Sequence, residues 1–201
     1  MKLYMIRHGE TAWNKERKLQ GHADIPLNEN GRTLAAVTGK ALADISFDYV
    51  FSSPLKRAVE TAELVLNGRK LPIRTDERIQ EIGFGEYEGI CMNDESADPE
   101  FEKFFVAPEQ YKPPKGGETL AHVRERTGAF LKELAENPEY QDKTILIATH
   151  GAAMKGLITN ITGEPLSEYW RGGVHKNCAV SIVEYQNGVY TLISENQVYY
   201  E

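Results

Sequence analysis

The sequence is poor in cysteine, in long apolar runs and in positive charge. Two cysteines, Cys91 and Cys178, occur in 201 residues, far apart and without C-x-x-C spacing. A disulfide framework or zinc ribbon is therefore not expected, and the pair fits a reducing compartment. The longest apolar stretches are strand-sized and none opens the chain, so neither a membrane span nor a signal peptide is expected. Lys plus Arg number 23 against 30 Asp plus Glu, a net charge of −7. Such acidity argues against a nucleic-acid or anionic-membrane partner, yet leaves room for a local basic pocket. A chain this long buries a continuous core without staples. The expectation is a cytoplasmic globular protein of one domain, residues 1–201, with no oligomeric state legible in it.

What is present is an alternation of short apolar runs with amphipathic helical patterns. Leu3–Ile6 reads as a buried first strand, and a long polar loop then runs to Pro26-Leu27-Asn28. Asn28 caps a helix whose expected inner face is Leu34, Val37, Ala41 and Ile45. Tyr49–Phe51 reads as a strand, Ser53-Pro54 as the opening of a helix through Leu66, and Leu71–Arg74 as a third strand. Residues 83–117 are rich in Gly, Pro and acid, with a helical signal only near Phe101–Phe105. Leu120, Val123, Thr127, Phe130, Leu131 and Leu134 mark a long helix that Asn137-Pro138 stops. Thr144–Thr149 is the clearest buried strand, Gly151–Ile161 the next helix, and Asn187-Gly188 turns a closing hairpin. The fold class expected is α/β, a three-layer sandwich with a mostly parallel central sheet flanked by helices, a C-terminal hairpin and a small loop-rich cap over about 90–117.

In open α/β sheets, ligands bind beyond the carboxyl ends of the strands. Arg7-His8-Gly9 follows the first strand, Ser52-Ser53-Pro54 and then Arg57 follow the second, and His150-Gly151 follows the Thr144–Thr149 strand. Singly, Arg57 reads as a solvated helix residue, and His8 or His150 as a hydrogen-bonded structural histidine. Jointly, two arginines and two histidines at converging strand ends describe an anion pocket suited to phosphate. The glycine after each histidine lets a ligand approach the backbone, and a helix starting at Gly151 aims free N–H groups there.

Leu3-Tyr4-Met5-Ile6-Arg7-His8-Gly9-Glu10-Thr11 resembles the signature of the histidine phosphatase, or phosphoglycerate-mutase-like, superfamily. Asn14, Leu19-Gln20-Gly21, Asp24, Pro26-Leu27 and Gly31 follow that family's first loop. Ser52–Ala58 with Glu60-Thr61-Ala62, Glu81–Gly89, Gly116-Gly117-Glu118-Thr119 and Thr149-His150-Gly151 resemble its later blocks, in order, from residue 3 to about 182. Leu34-Ala35 departs from the Gln-Ala of many members, away from the chemistry.

The resemblance implies a phosphohistidine at His8, with Arg7, Arg57 and His150 around the phosphoryl oxygens, Asn14 as a neutral donor, and His150 cationic once phosphate is bound. It implies Glu81 as general acid, where the sequence alone leaves Glu77, Glu86 and Glu88 as competitors. Gln20 and Gly21 line the entrance, with Gly151 beside the phosphate. No cofactor and no metal are expected, since no carboxylates cluster as a cage and the cations supply the charge. His22 and His122 read as solvated, and His175 stays outside the site.

Within the family, phosphatases, mutases and bisphosphatases share these residues. A short cap in which Asp94, Glu95, Asp98, Glu100, Glu102 and Glu109 outnumber Lys103, Lys112 and Lys115 would repel a bisphosphorylated intermediate. The expectation is a metal-independent phosphatase of small phosphorylated metabolites. The alternatives are a cofactor-dependent phosphoglycerate mutase, α-ribazole-phosphate or fructose-bisphosphate hydrolysis, and a non-catalytic phospho-ligand binder. The binder would be expected to have lost His8 or Glu81, and both are present.

Overall fold

Four short parallel strands place their carboxyl ends side by side, which is what positions the site. The computed structural model describes residues 1–91 and 99–201. Its strands are β1 (Lys2–Arg7), β2 (Tyr49–Ser52), β3 (Ile73–Thr75), β4 (Thr144–Thr149), β5 (Val180–Gln186) and β6 (Val189–Gln197). They form one sheet in the order β3-β2-β4-β1-β5-β6. β3, β2, β4 and β1 are mutually parallel, and β5 and β6 close the sheet as an antiparallel hairpin. The register pairs Arg7 with Thr149 and Ser52 with Ala148, so His8, Ser53 and His150 leave neighbouring strands together.

The helices are α1 (Ala12–Lys15), α2 (Glu29–Ala41), α3 (Lys56–Leu66), α4 (Lys103–Val106), α5 (Leu120–Glu136) and α6 (Gly151–Thr162). Alternate β-strand residues face opposite sides, so the sheet feeds two cores. Leu3, Met5, Ile145 and Ile147 pack with Phe130, Leu134, Met154 and Leu157 of α5 and α6. Tyr4, Ile6, Leu146 and Ala148 pack with Ala35, Ala58, Ala62 and Val65 of α2 and α3. Three layers result, as the sequence patterning requires. A third cluster joins Ile82, Phe84, Phe101, Phe104, Tyr111 and Tyr169, and it ties the 83–117 segment to α5 and α6.

Two local expectations shift. The inner face of α2 is Gly31, Ala35, Thr38 and Gly39, continued by Leu42 at its C-cap, whereas Ala41 is exposed and Leu34, Val37 and, past the helix end, Ile45 are half-buried. The cause is close packing: a Cβ at Gly39 would lie 2.7 Å from the Leu64 carbonyl, so small residues face α3 and the larger ones flank them. Helix α3 starts at Lys56, with Leu55 rather than Ser53 at its N-cap and no side-chain cap. Asn28 caps α2 as expected, its side chain accepting from the Gly31 N–H. Among the described residues no helix is long and apolar enough to cross a membrane.

Candidate active site

The β1, β2 and β4 ends and the segment after β3 surround a cavity of about 280 Å³. Every site residue expected from the sequence except His150 lines it: Arg7, His8, Asn14, Gln20, Gly21, Arg57, Glu81 and Gly151. His150 lies fully buried directly behind His8, with ring centroids 5.1 Å apart.

His8 is held as one tautomer. Its Nδ1 lies 2.7 Å from the Gly9 carbonyl, which can only accept, so Nδ1 carries the proton and Nε2 keeps its lone pair. Burial, then the charges of Arg57 and Arg7, push its pKa well below the ordinary histidine value. A neutral imidazole with a free Nε2 is a nucleophile at neutral pH. His150 is likewise neutral, its pKa lowered by burial first and Arg57 next. Arg57 Nε donates to its Nδ1 at 3.2 Å, so its Nε2–H donates to Ser53 Oγ at 2.7 Å. Ser53 Oγ, which also accepts from the Leu55 N–H at 3.3 Å, orients this ring.

Arg57 is completely buried. Besides His150 it donates to the carbonyls of Ala23 (2.8 Å) and Gly21 (2.7 Å), tying the entrance loop to the cavity floor. Burial lowers its pKa to about 10, leaving it cationic at pH 7. Arg7 donates one terminal nitrogen to the His175 carbonyl, while its buried Nε has no partner among the described residues. A buried guanidinium N–H left unpaired beside a cavity is the strongest local mark of an anion site. Asn14 turns its Oδ1 to Thr11 in a capping box, which leaves Nδ2 without a protein partner among the described residues. Gln20 Oε1 accepts from Thr11 Oγ1 at 3.0 Å.

Glu81 occupies the place where free helix N–H groups were expected. Its Oε2 accepts from Gly151 N (2.9 Å), and its Oε1 accepts from Ala152, Ala153 and Ile82 N–H groups at 3.0–3.2 Å. The N-terminus of α6 therefore serves Glu81, not a phosphate directly; an acid at a helix start is favoured by the macrodipole. The glycines also divide in role. A Cβ at Gly9 would lie 2.6 Å from the Gly31 carbonyl, so that glycine serves backbone packing. A Cβ at Gly151 would project between Glu81 Oε2 (3.5 Å) and Arg7 Nε (3.8 Å), inside the cavity. At Gly21 a positive φ of 52° favours glycine, and the space demands it, since a Cβ there would collide with Glu88 Oε1 and the Phe84 N–H.

The mouth is lined by Arg17, Lys18, Leu19, Phe84, Phe104, Phe105, Trp170 and Val174. These were not found from the sequence, since nothing local marks residues 104 and 170 as neighbours. An acidic lining is not what the described residues show: Glu102 and Glu109 do not line the cavity, and the 99–117 segment contributes Phe104 and Phe105. Asp94, Glu95, Asp98 and the side chain of Glu100 lie outside what the structure describes. His22 bonds the Glu81 carbonyl at 2.9 Å, and His122 pairs with Glu118 at 2.7 Å, so neither enters the cavity. His175, also absent from the expected site, is buried behind Arg7 and supplies the carbonyl that holds it. Among the described residues no group of three His, Cys, Asp or Glu could hold a metal ion.

Three buried neutral histidines make stability sensitive to mild acid. Burial lowers His8 and His150 well below 6.5 and His175 to about 3. Above pH 6.5 the folded and unfolded states both leave them neutral. Below it the unfolded chain takes up protons that the folded chain refuses, so stability falls as pH falls. Each histidine contributes a slope approaching about 1.4 kcal/mol per pH unit. Urea unfolding should show clearly lower stability at pH 5.5 than at pH 7, above the range where carboxylates titrate; a flat profile would contradict this protonation pattern.

Comparison with known proteins agrees with the geometry. Residues 3–198 match the family model described as histidine phosphatase superfamily (branch 1). A Bacillus subtilis relative called uncharacterized phosphatase PhoE is 38% identical over 159 residues, covering 79% of this chain and 76% of its own. A Salmonella choleraesuis relative called probable phosphoglycerate mutase GpmB is 31% identical, covering 92% of this chain and 86% of its own. The structure of Bacillus stearothermophilus YhfR superposes with a TM-score of 0.92 at 36% identity, covering 98% and 97%. That of a mutant phosphoserine phosphatase from Entamoeba histolytica, in complex with phosphoserine, gives 0.84 at 29%, covering 97% and 96%. By sequence and fold the chain belongs to the histidine phosphatase superfamily, and the phosphatase activity expected of it is the one these likenesses bear out.

Proposed function

We propose that the chain hydrolyses small phosphorylated metabolites through a phosphohistidine on His8 Nε2, as one domain in which 90–117 forms a cap over the pocket. The observation that carries this is the pairing of a free His8 Nε2 with the unpartnered buried Nε of Arg7 in one cavity. The phosphate sits against Arg7 and Asn14 Nδ2, and its charge turns Arg57 Nε toward an oxygen. His150 Nδ1, released by Arg57, then takes up a proton, because an adjacent anion raises an imidazole pKa. Glu81 takes up a proton once the negative phosphate stands beside its carboxylate; His8 Nε2 then attacks phosphorus as the bond to the leaving oxygen breaks, and Glu81 gives that oxygen the proton. Water enters, Glu81 takes a proton from it, and the oxygen attacks the phosphohistidine to restore His8.

Hydrolysis is favoured over isomerisation by the mouth. A mutase must hold a second phosphoryl group at the far end of its intermediate, which calls for several charge-assisted donors. Here the opposing wall is Phe104, Phe105, Trp170 and Val174. Lys18 is paired with Glu16 at 2.7 Å, so among the described residues lining the mouth Arg17 is the one cation without a partner. The test supplies 3-phosphoglycerate with catalytic bisphosphoglycerate and follows phosphate release and isomerisation together. Release should dominate; isomerisation faster by orders of magnitude would overturn hydrolysis in favour of the mutase.

A further inference from the structure

The Gly116-Gly117-Glu118-Thr119 block has no part in the steps above, and neither has the half-buried Arg126 on α5. Arg126 uses all five of its N–H donors. Its Nε donates to Glu118 Oε1 at 2.7 Å, and one terminal nitrogen to the carbonyls of Arg78 (2.8 Å) and Gln80 (2.7 Å). The other donates to the Glu81 carbonyl (3.1 Å) and Glu118 Oε2 (3.0 Å). Arg126 and Glu118 side chains are only 12% and 13% exposed, so water competes weakly for these bonds. Glu118 also accepts from the Gly83 N–H at 3.3 Å, and its own N–H donates to the Gly83 carbonyl at 2.8 Å. Residues 78–83 are thus held from one side by α5 and Glu118. On the other side the Glu81 carboxylate reaches the α6 N-terminus. Ile79 and Ile82, flanking it, are fully buried.

We infer that Arg126 and Glu118 form a positioning pair for Glu81, fixing the backbone from which its carboxyl addresses the leaving oxygen. The pair lies outside the phosphate cavity and touches no substrate. Proton transfer demands hydrogen-bond reach to the leaving oxygen, so a small displacement of the Glu81 backbone weakens acid catalysis while phosphate binding persists. The inference rests on Glu81 as proton donor.

Leaving-group dependence separates positioning from general structural support. Nitrophenolate departs with little protonation, whereas an alkoxide needs it. Glu81→Gln should slow an alkyl phosphate about a hundredfold more than p-nitrophenyl phosphate. Arg126→Met should reproduce the same selective loss, at least about tenfold in the alkyl-to-aryl ratio, with KM little changed. Because Arg126→Met strands the Glu118 charge, Arg126→Lys and Glu118→Gln are measured alongside and are read if the first variant does not fold. A split in Glu81→Gln with none in the folded pair variants overturns the positioning role and leaves Glu81 as acid. No split in Glu81→Gln removes the acid assignment itself, and the positioning inference falls with it.

Discussion

His8→Ala should lower kcat/KM by at least about 10⁴-fold while leaving a folded protein, because among the described residues no other group in the cavity combines a free lone pair with the right position. The neighbouring imidazole cannot substitute: His150 Nε2–H is directed at Ser53 Oγ, and its Nδ1, bonded by Arg57 until phosphate draws Arg57 away, then takes up a proton and has no lone pair to offer. The fold should survive, since among the described residues the His8 side chain bonds only the adjacent Gly9 carbonyl. Its main-chain bond to the Thr149 carbonyl (2.9 Å) is unaffected by the substitution. Rapid quenching of the wild type should trap acid-labile, base-stable phosphate, and His8→Ala should trap none. The same variant removes one of the three buried neutral histidines, so its acid destabilisation between pH 7 and 5.5 should be shallower. Turnover at normal rates by a folded His8→Ala protein would sink the phosphohistidine route.

How much of this was legible beforehand depended on whether the cause was local. The apolar positions of α5 are buried residue for residue as its spacing requires, and β4 runs over Thr144–Thr149 as read. In both, burial against a layer imposes a regular period that the sequence records. Helix α2 was placed correctly but turned wrongly, because its face toward α3 is chosen by size at Gly39 and Ala35 rather than by hydrophobicity. In the site, the residues at the strand ends could be named because topology alone brings such ends together. Their supports could not. Ser53 under His150, the His175 carbonyl under Arg7 and Arg126 beneath Glu81 join positions 97, 168 and 45 residues apart. No sequence period encodes such contacts. The Gly151 N–H groups show the converse error: a helix start was correctly located, but the acid that would fill it came from another segment.

Arg57→Lys should cost about 10³-fold in kcat/KM although charge is conserved, because the work of this residue is done by its fork. A lysine ammonium offers one point of donors, whereas Arg57 serves three separate acceptors: His150 Nδ1 and the carbonyls of Gly21 and Ala23. Loss of one preorganised donor to a developing phosphoryl charge typically costs about 10²–10³ in rate. Here the loop carrying Gln20 and Gly21 loses its anchor as well, which misplaces the entrance. At least one buried carbonyl is left unpaired, so stability should also drop by about 1–3 kcal/mol. Binding and chemistry can be read separately through inorganic phosphate, which should raise the melting temperature of the wild type by linkage. In Arg57→Lys that rise should shrink sharply at equal phosphate concentration, in step with the lost activity. If the variant keeps both full phosphate stabilisation and normal turnover, the anion is not held by the Arg57 guanidinium, and Arg7 with Asn14 must carry the phosphoryl group unaided.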